Sequence, residues 1–138
     1  MSIDLGELPS PKELLELYSA VGWTAYTDEP QRLVDAVRNS TWVLTARDGR
    51  GALLGLARVI SDQMSIAYIQ DLLVMPESQR SGVGGALLDA VIEQCAGIRQ
   101  VVLMTDAEPG QRQFYESRAF REIHDLDPTP LRSFVRLS

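Results

Sequence analysis

Hydrophobic and polar positions change period several times along the chain, and each change marks an element. Leu14, Leu15, Leu17, Tyr18 and Val21 recur at helical spacing. Ser10-Pro11-Lys12-Glu13 ahead of them reads as a helix start, with Ser10 as N-cap, Pro11 in the first helical position and Glu13 completing a capping box. Gly22 ends that helix. Pro30 opens a second helix with Leu33, Val34 and Val37 inward, which stops near Asn39-Ser40. Between them, Trp23-Thr24-Ala25-Tyr26-Thr27 reads as a loop carrying two large aromatics.

From residue 41 the pattern becomes that of strands. Residues 41–46 and 52–60 form a hairpin across the turn Asp48-Gly49-Arg50-Gly51. Residues 66–75 return as a third antiparallel strand, stopped by Pro76, which has no N–H for a sheet ladder. Val83, Ala86, Leu87, Ala90, Val91 and Cys95 restore helical spacing and predict a helix to about residue 96. Residues 100–104 read as a short buried strand, parallel to the third because a helix crosses over between them. Another helix over 110–118 follows, then a final strand pair, 121–124 and 133–137, around Asp127-Pro128-Thr129-Pro130. A weak alternation over 2–8 adds an edge strand. The expectation is one α/β domain over residues 1–138, with a mixed, mainly antiparallel sheet.

Composition narrows the function without naming it. Hydrophobic content of 45% and charged content of 23% fit an ordinary globular protein. No apolar run is long enough to span a bilayer, so no membrane is expected as partner. The N-terminal residues lack the basic and apolar regions of a signal peptide, which makes the cytoplasm the expected compartment. A net charge of −6 argues against a nucleic-acid surface. Residues 1–35 hold seven acids against Lys12 and Arg32, an excess that would attract a cationic acceptor or form a solvated face. Cys95 is the only cysteine and His124 the only histidine, so a metal site built on those residues is excluded and no metal is expected. Cys95 falls on an apolar helix face, where packing explains it. A serine-histidine-aspartate triad would rest on His124 alone, and no nucleophile elbow accompanies it.

The chemistry concentrates where the third strand gives way to the glycine-started helix. Gln79-Arg80-Ser81-Gly82-Val83-Gly84 lies there. Glycines let the backbone approach a ligand, and the first helical turn offers unpaired N–H groups at the positive end of the helix dipole. That combination suits a phosphate or pyrophosphate. The plain alternative is a tight turn capping a packed helix. A P-loop needs Lys-Ser or Lys-Thr after its last glycine, and Ala86-Leu87 stand there instead. A dinucleotide fingerprint needs a third small residue where Leu87 stands, although Asp106 lies at about the right distance for a ribose contact, so a nucleotide-binding oxidoreductase fragment stays open.

The same six residues match the Gln/Arg-x-x-Gly-x-Gly/Ala motif of the GNAT acyltransferases, and the preceding Val-x-Pro strand end resembles that family too. Phe114-Tyr115-Glu116-Ser117-Arg118-Ala119-Phe120 resembles its Phe-Tyr-x-x-x-Gly-Phe signature, at the right distance downstream. The resemblance covers residues 11–137. Ala119 replaces the usual glycine, and Glu108 stands where many relatives carry an asparagine. The implied fold is a GNAT-type mixed sheet with helices on both faces and a splayed strand pair forming the acyl-CoA cleft. The implied activity is transfer of an acyl group, most often acetyl, from acetyl-CoA to a primary amine: a small molecule, a protein N-terminus or a lysine. A CoA-binding regulatory module without turnover is the alternative, and relatives often form homodimers.

On that reading Gln79, Arg80, Ser81, Gly82, Val83 and Gly84 hold the pyrophosphate. The backbone of Leu72, Leu73 and Val74 pairs with the peptide-like pantetheine arm as an added strand would. A backbone N–H near Leu73 stabilises the thioester oxygen as it becomes an oxyanion. Tyr115 protonates the leaving thiolate: an ordinary tyrosine titrates near about 10 and a thiol near about 8.5. Asp71 is a candidate base for the acceptor amine. Its alternative is a hydrogen-bonded structural aspartate, because a carboxylate in the apolar run Ile69 to Val74 must be compensated. Trp23, Tyr26 and the first two helices are expected to select the acceptor.

Overall fold

The structure, a computed structural model, describes residues 1–138. The chain falls into two compact units, residues 1–104 and residues 105–138. The first unit holds the whole sheet and four helices. Its elements are β1 (Ser2–Leu5), α1 (Pro11–Ala20), α2 (Thr24–Thr27), α3 (Pro30–Arg38), β2 (Trp42–Arg47), β3 (Leu53–Ser61), β4 (Ile66–Val74), α4 (Val83–Gln94) and β5 (Gln100–Leu103).

Local chemistry starts α1 as expected. The Ser10 hydroxyl accepts from the Glu13 N–H at 3.1 Å, and the Glu13 carboxylate accepts from the Ser10 N–H at 3.0 Å. The expected loop at Trp23 winds instead into the single helical turn α2. Its aromatics drive this: Tyr18, Trp23 and Tyr26 pack on one another with ring centroids 5.3 to 6.1 Å apart.

The strands lie in the order β1-β2-β3-β4-β5, antiparallel except for the β4–β5 pair. Helices cover both faces. On one, Leu14, Leu17 and Tyr18 of α1 and Leu33, Val34 and Val37 of α3 pack against Val43, Leu53, Leu56 and Leu73. On the other, α4 lies close over Gly55, where an added Cβ would stand 2.6 Å from the Leu73 carbonyl oxygen and 3.0 Å from Leu87. Burial on both faces explains why β3 reads as an almost continuous apolar run.

Two features of β4 shape the site. Asp71 pairs with Arg58 and Ile69 pairs with Val59, so Gln70 is an extra residue, a β-bulge. Neighbouring residues of a strand face opposite sides of the sheet. Ile69 therefore faces as Val59 does, and Asp71 faces the opposite side with Arg58. The parallel pairing with β5 begins at Ile66–Gln100 and ends at Ile69–Leu103. From Gln70 to Val74, β4 has a strand only on its β3 side. The pair parts there, as the splayed arrangement requires.

The second unit contains α5 (Gln111–Glu116). The strand pair expected at 121–124 and 133–137 does not form. A single 3₁₀ turn, Ile123–Asp125, stands in the first stretch and no strand in the second. Phe134, Val135 and Leu137 are residues of the kind strands favour, but their side chains are exposed and the stretch joins no ladder. The link the intervening loop makes is one bond, from the Leu131 N–H to the Ile123 carbonyl at 2.9 Å.

Candidate active site

Past the bulge, alternate peptide groups of β4 point to alternate edges. The Met75 N–H donates to the Leu54 carbonyl on β3 at 2.8 Å. By the same alternation Leu73 faces β3, and Leu72 and Val74 face the open edge. The free N–H nearest the expected position is therefore that of Leu72, not Leu73. The Val74 carbonyl on this edge accepts from the Gln79 side chain at 3.2 Å, which ties the loop back to the strand end.

The loop itself is a sequence of backbone turns. Pro76–Ser78 is one 3₁₀ turn, and the Ser81 hydroxyl donates to the Ser78 carbonyl. Arg80 adopts a φ of 63° and Gly82 a φ of 91°. Gly82 is the N-cap of α4, and its left-handed conformation is the reason a glycine stands there. An added Cβ on Gly82 would meet nothing within 4 Å, so the space in front of the helix start is open. The N–H groups of Val83, Gly84 and Gly85 lie in the first turn, where no intrahelical carbonyl reaches them. Gly84 and Gly85 have no side chains to screen them.

Asp71 has the geometry of the hydrogen-bonded alternative. Its residue exposure is 2%. Oδ2 accepts from Arg58 Nε at 2.7 Å and from the Tyr18 hydroxyl at 2.7 Å, and Oδ1 accepts from the Tyr26 hydroxyl at 3.4 Å. Burial, then the Asp71 carboxylate, raise the Tyr18 pKa well above its ordinary value. That keeps the phenol neutral, whereas Arg58 is held charged, with burial opposing and Asp71 outweighing it. Both carboxylate oxygens are thus occupied by side chains of the fold itself, as a hydrogen-bonded structural aspartate requires. Arg58 was not among the sequence candidates. Its signal was a lone cation in the apolar run 52–60, the counterpart of the lone acid in 69–74.

Comparison with known proteins decides what this scaffold is. The profile of the family described as Acetyltransferase (GNAT) domain matches residues 22–128. The chain belongs to the GNAT acetyltransferase family. A GNAT-family acetyltransferase structure from Streptococcus pneumoniae superposes with a TM-score of 0.78 at 32% identity, covering 99% of this chain and 98% of that one. The uncharacterized N-acetyltransferase ycf52 of Pyropia yezoensis is 29% identical over 118 residues, 83% of this chain and 66% of that protein. A ycf52-like N-acetyltransferase from Prochlorococcus marinus is 32% identical over 115 residues, 78% of this chain and 61% of that protein. The chain thus spans less than two thirds of the length of these curated relatives.

Of the residues the GNAT resemblance singles out, Leu72, Leu73, Val74 and the 79–84 loop lie consecutively in the first unit, and Tyr115 lies in the second. Tyr115 is half-buried, with the rings of Phe114 and Phe120 at 5.0 and 5.9 Å. Burial first, and the charge of Asp106 second, raise its pKa. Ala119, in the position of the family's glycine, takes the glycine-like φ of 65°. Glu122, His124 and Asp125 gather on the surface, with Arg112 bonded to both carboxylates at 3.3 and 2.7 Å. That guanidinium offsets part of their negative charge and also pairs with Glu116 at 3.1 Å. Cys95 is buried, and burial raises its thiol pKa, as packing rather than nucleophilic chemistry requires. No helix is long and apolar enough to cross a membrane.

Proposed function

We propose that this chain is an acyl-CoA-dependent N-acyltransferase that passes acetyl from acetyl-CoA directly to a primary amine in a ternary complex. The observation that carries the reading is the open edge of β4. From Gln70 to Val74 it has no strand beside it, and it leads straight into an open helix start headed by Gly82. The two halves of CoA ask for those two surfaces. Its pantetheine arm carries amides that can pair with the Leu72 and Val74 backbone. Its pyrophosphate suits the N–H groups of residues 81–85 and the α4 dipole.

The neutral amine nitrogen attacks the thioester carbon and passes its proton to a solvent water, and solvent later restores the proton that Tyr115 gives away. The oxygen that becomes negative accepts from the Leu72 N–H. The C–S bond then breaks, and Tyr115 returns a proton to the thiolate as the amide forms. A raised pKa keeps Tyr115 protonated through neutral pH, as an acid must be. Trp23 and Tyr26 serve as the acceptor surface: Trp23 is partly exposed, and Tyr26 is partly buried behind it with its hydroxyl held by Asp71 and Gln70.

Calorimetric titration with acetyl-CoA and with NAD tests the donor site. Acetyl-CoA should bind and NAD should not. Gly82→Asp, which adds a negative charge and strains the N-cap, should weaken acetyl-CoA about tenfold or more. Unchanged affinity in a folded Gly82→Asp protein would place the site elsewhere.

A further inference from the structure

The buried cluster around Asp71 sits where β4 changes register. The bulge and the parting of β4 from β5 both begin at Gln70. Without the extra residue, Asp71 would face as Ile69 does, towards the apolar side that carries Leu87, Leu88 and Val91 of α4. A carboxylate there would be buried among apolar side chains without partners, a strongly unfavourable placement. With the bulge it meets Arg58 from β3, Tyr18 from α1 and Tyr26 from α2. Arg58 in turn donates to the Ser40 hydroxyl at 3.3 Å, just beyond α3. No buried side-chain polar atom of the cluster lacks a partner. The next residue is Leu72, the first after Asp71 whose backbone faces the open edge.

We infer that Asp71 is a positioning residue: its buried ion pair with Arg58 and its bond from Tyr18 select the bulged register of β4 and so aim the Leu72 N–H into the cleft. This rests on the acyltransferase reading for the use made of that N–H. The register device itself does not depend on it.

Two arms test the inference, and they fail separately. The first is amide hydrogen exchange in the whole chain, wild type against Tyr18→Phe, which keeps the ring and removes one bond to Asp71. Exchange at Asp71 and Leu73, whose N–H groups face β3, should quicken about tenfold, while Val43 to Ala46 on β2 keep their protection. Unchanged exchange, or equal quickening on β2, would overturn the register role. The second arm is the pH dependence of kcat/KM. Positioning predicts that Tyr18→Phe and Asp71→Asn lower kcat with little change in the acetyl-CoA KM, and keep the acidic limb at its wild-type pH. A limb displaced upward in Tyr18→Phe, or lost in a folded Asp71→Asn, would make Asp71 a base and overturn the inference. Should the wild type turn over no amine, the functional reading fails, and the exchange arm still decides the register claim.

Discussion

Tyr115 is the residue on which the proposed chemistry turns. Tyr115→Phe preserves the ring packing with Phe114 and Phe120 and removes the transferable proton. The expected loss in kcat is on the order of 10²-fold, with acetyl-CoA affinity almost unchanged. The loss should shrink for thioesters of more acidic thiols, whose thiolates need protonation less. Because its pKa is raised, Tyr115 should produce no basic limb in the rate below about pH 10. Steady-state rates for both proteins across a thioester series check all of this, and wild-type turnover by the Phe variant would end the assignment. At this scale the sequence was informative about residue types and silent about partners. Asp71 stood out because a carboxylate in an apolar strand needs compensation. Which groups compensated it depended on one bulge residue, and bulges leave no periodic trace when both faces of a strand are apolar.

Among the elements, the helices and central strands followed from capping and periodicity, because those signals are local. The Ser10–Glu13 capping box is such a signal, and it carries a pH prediction. Glu13 also accepts from Arg47 at 2.6 Å, and that bond, then the Ser10 N–H, lower its pKa to about 2. A depressed carboxylate stabilises the fold above its unfolded pKa of about 4.3, and that contribution disappears as pH falls through about 2. Glu13→Gln should therefore cost about 1 kcal/mol in urea unfolding at pH 7, discounted for partial exposure, and close to nothing at pH 2. An equal penalty at both pH values would assign the effect to shape rather than charge. Gly55 shows a signal that periodicity cannot give. It sits within β3 because α4 and the Leu73 carbonyl come too near for a side chain. Gly55→Ala should lower stability by about 1–3 kcal/mol, read as a shifted urea midpoint, and an unshifted midpoint would show the contact to be loose. The two expected strands near the C-terminus failed for the opposite reason. Apolar residues of strand type were present in 133–137, but a strand exists only with a neighbour to bond, and sequence pattern does not supply one.

For the whole molecule, the order of elements and two separated motifs were enough to point to the family, since each constrains the other's position. They also implied a splayed strand pair; what they left unread is where it opens, at Gln70, because β5 stops at Leu103 while β4 continues to Val74. The acceptor is unread too: on the proposed reading it is chosen by side chains such as Trp23 and Tyr26, whose stacking comes from tertiary packing. The most direct test of the account is release of free CoA thiol from acetyl-CoA by the purified chain, across a panel of small amines, amino acids and lysine- or N-terminus-bearing peptides. Each acetylated product is confirmed by mass. The account predicts thiol release that depends on one class of amine and matches the acetylated amine mole for mole. Tight acetyl-CoA binding with no amine-dependent release anywhere in the panel would contradict it, and would leave a CoA-binding module in place of an enzyme.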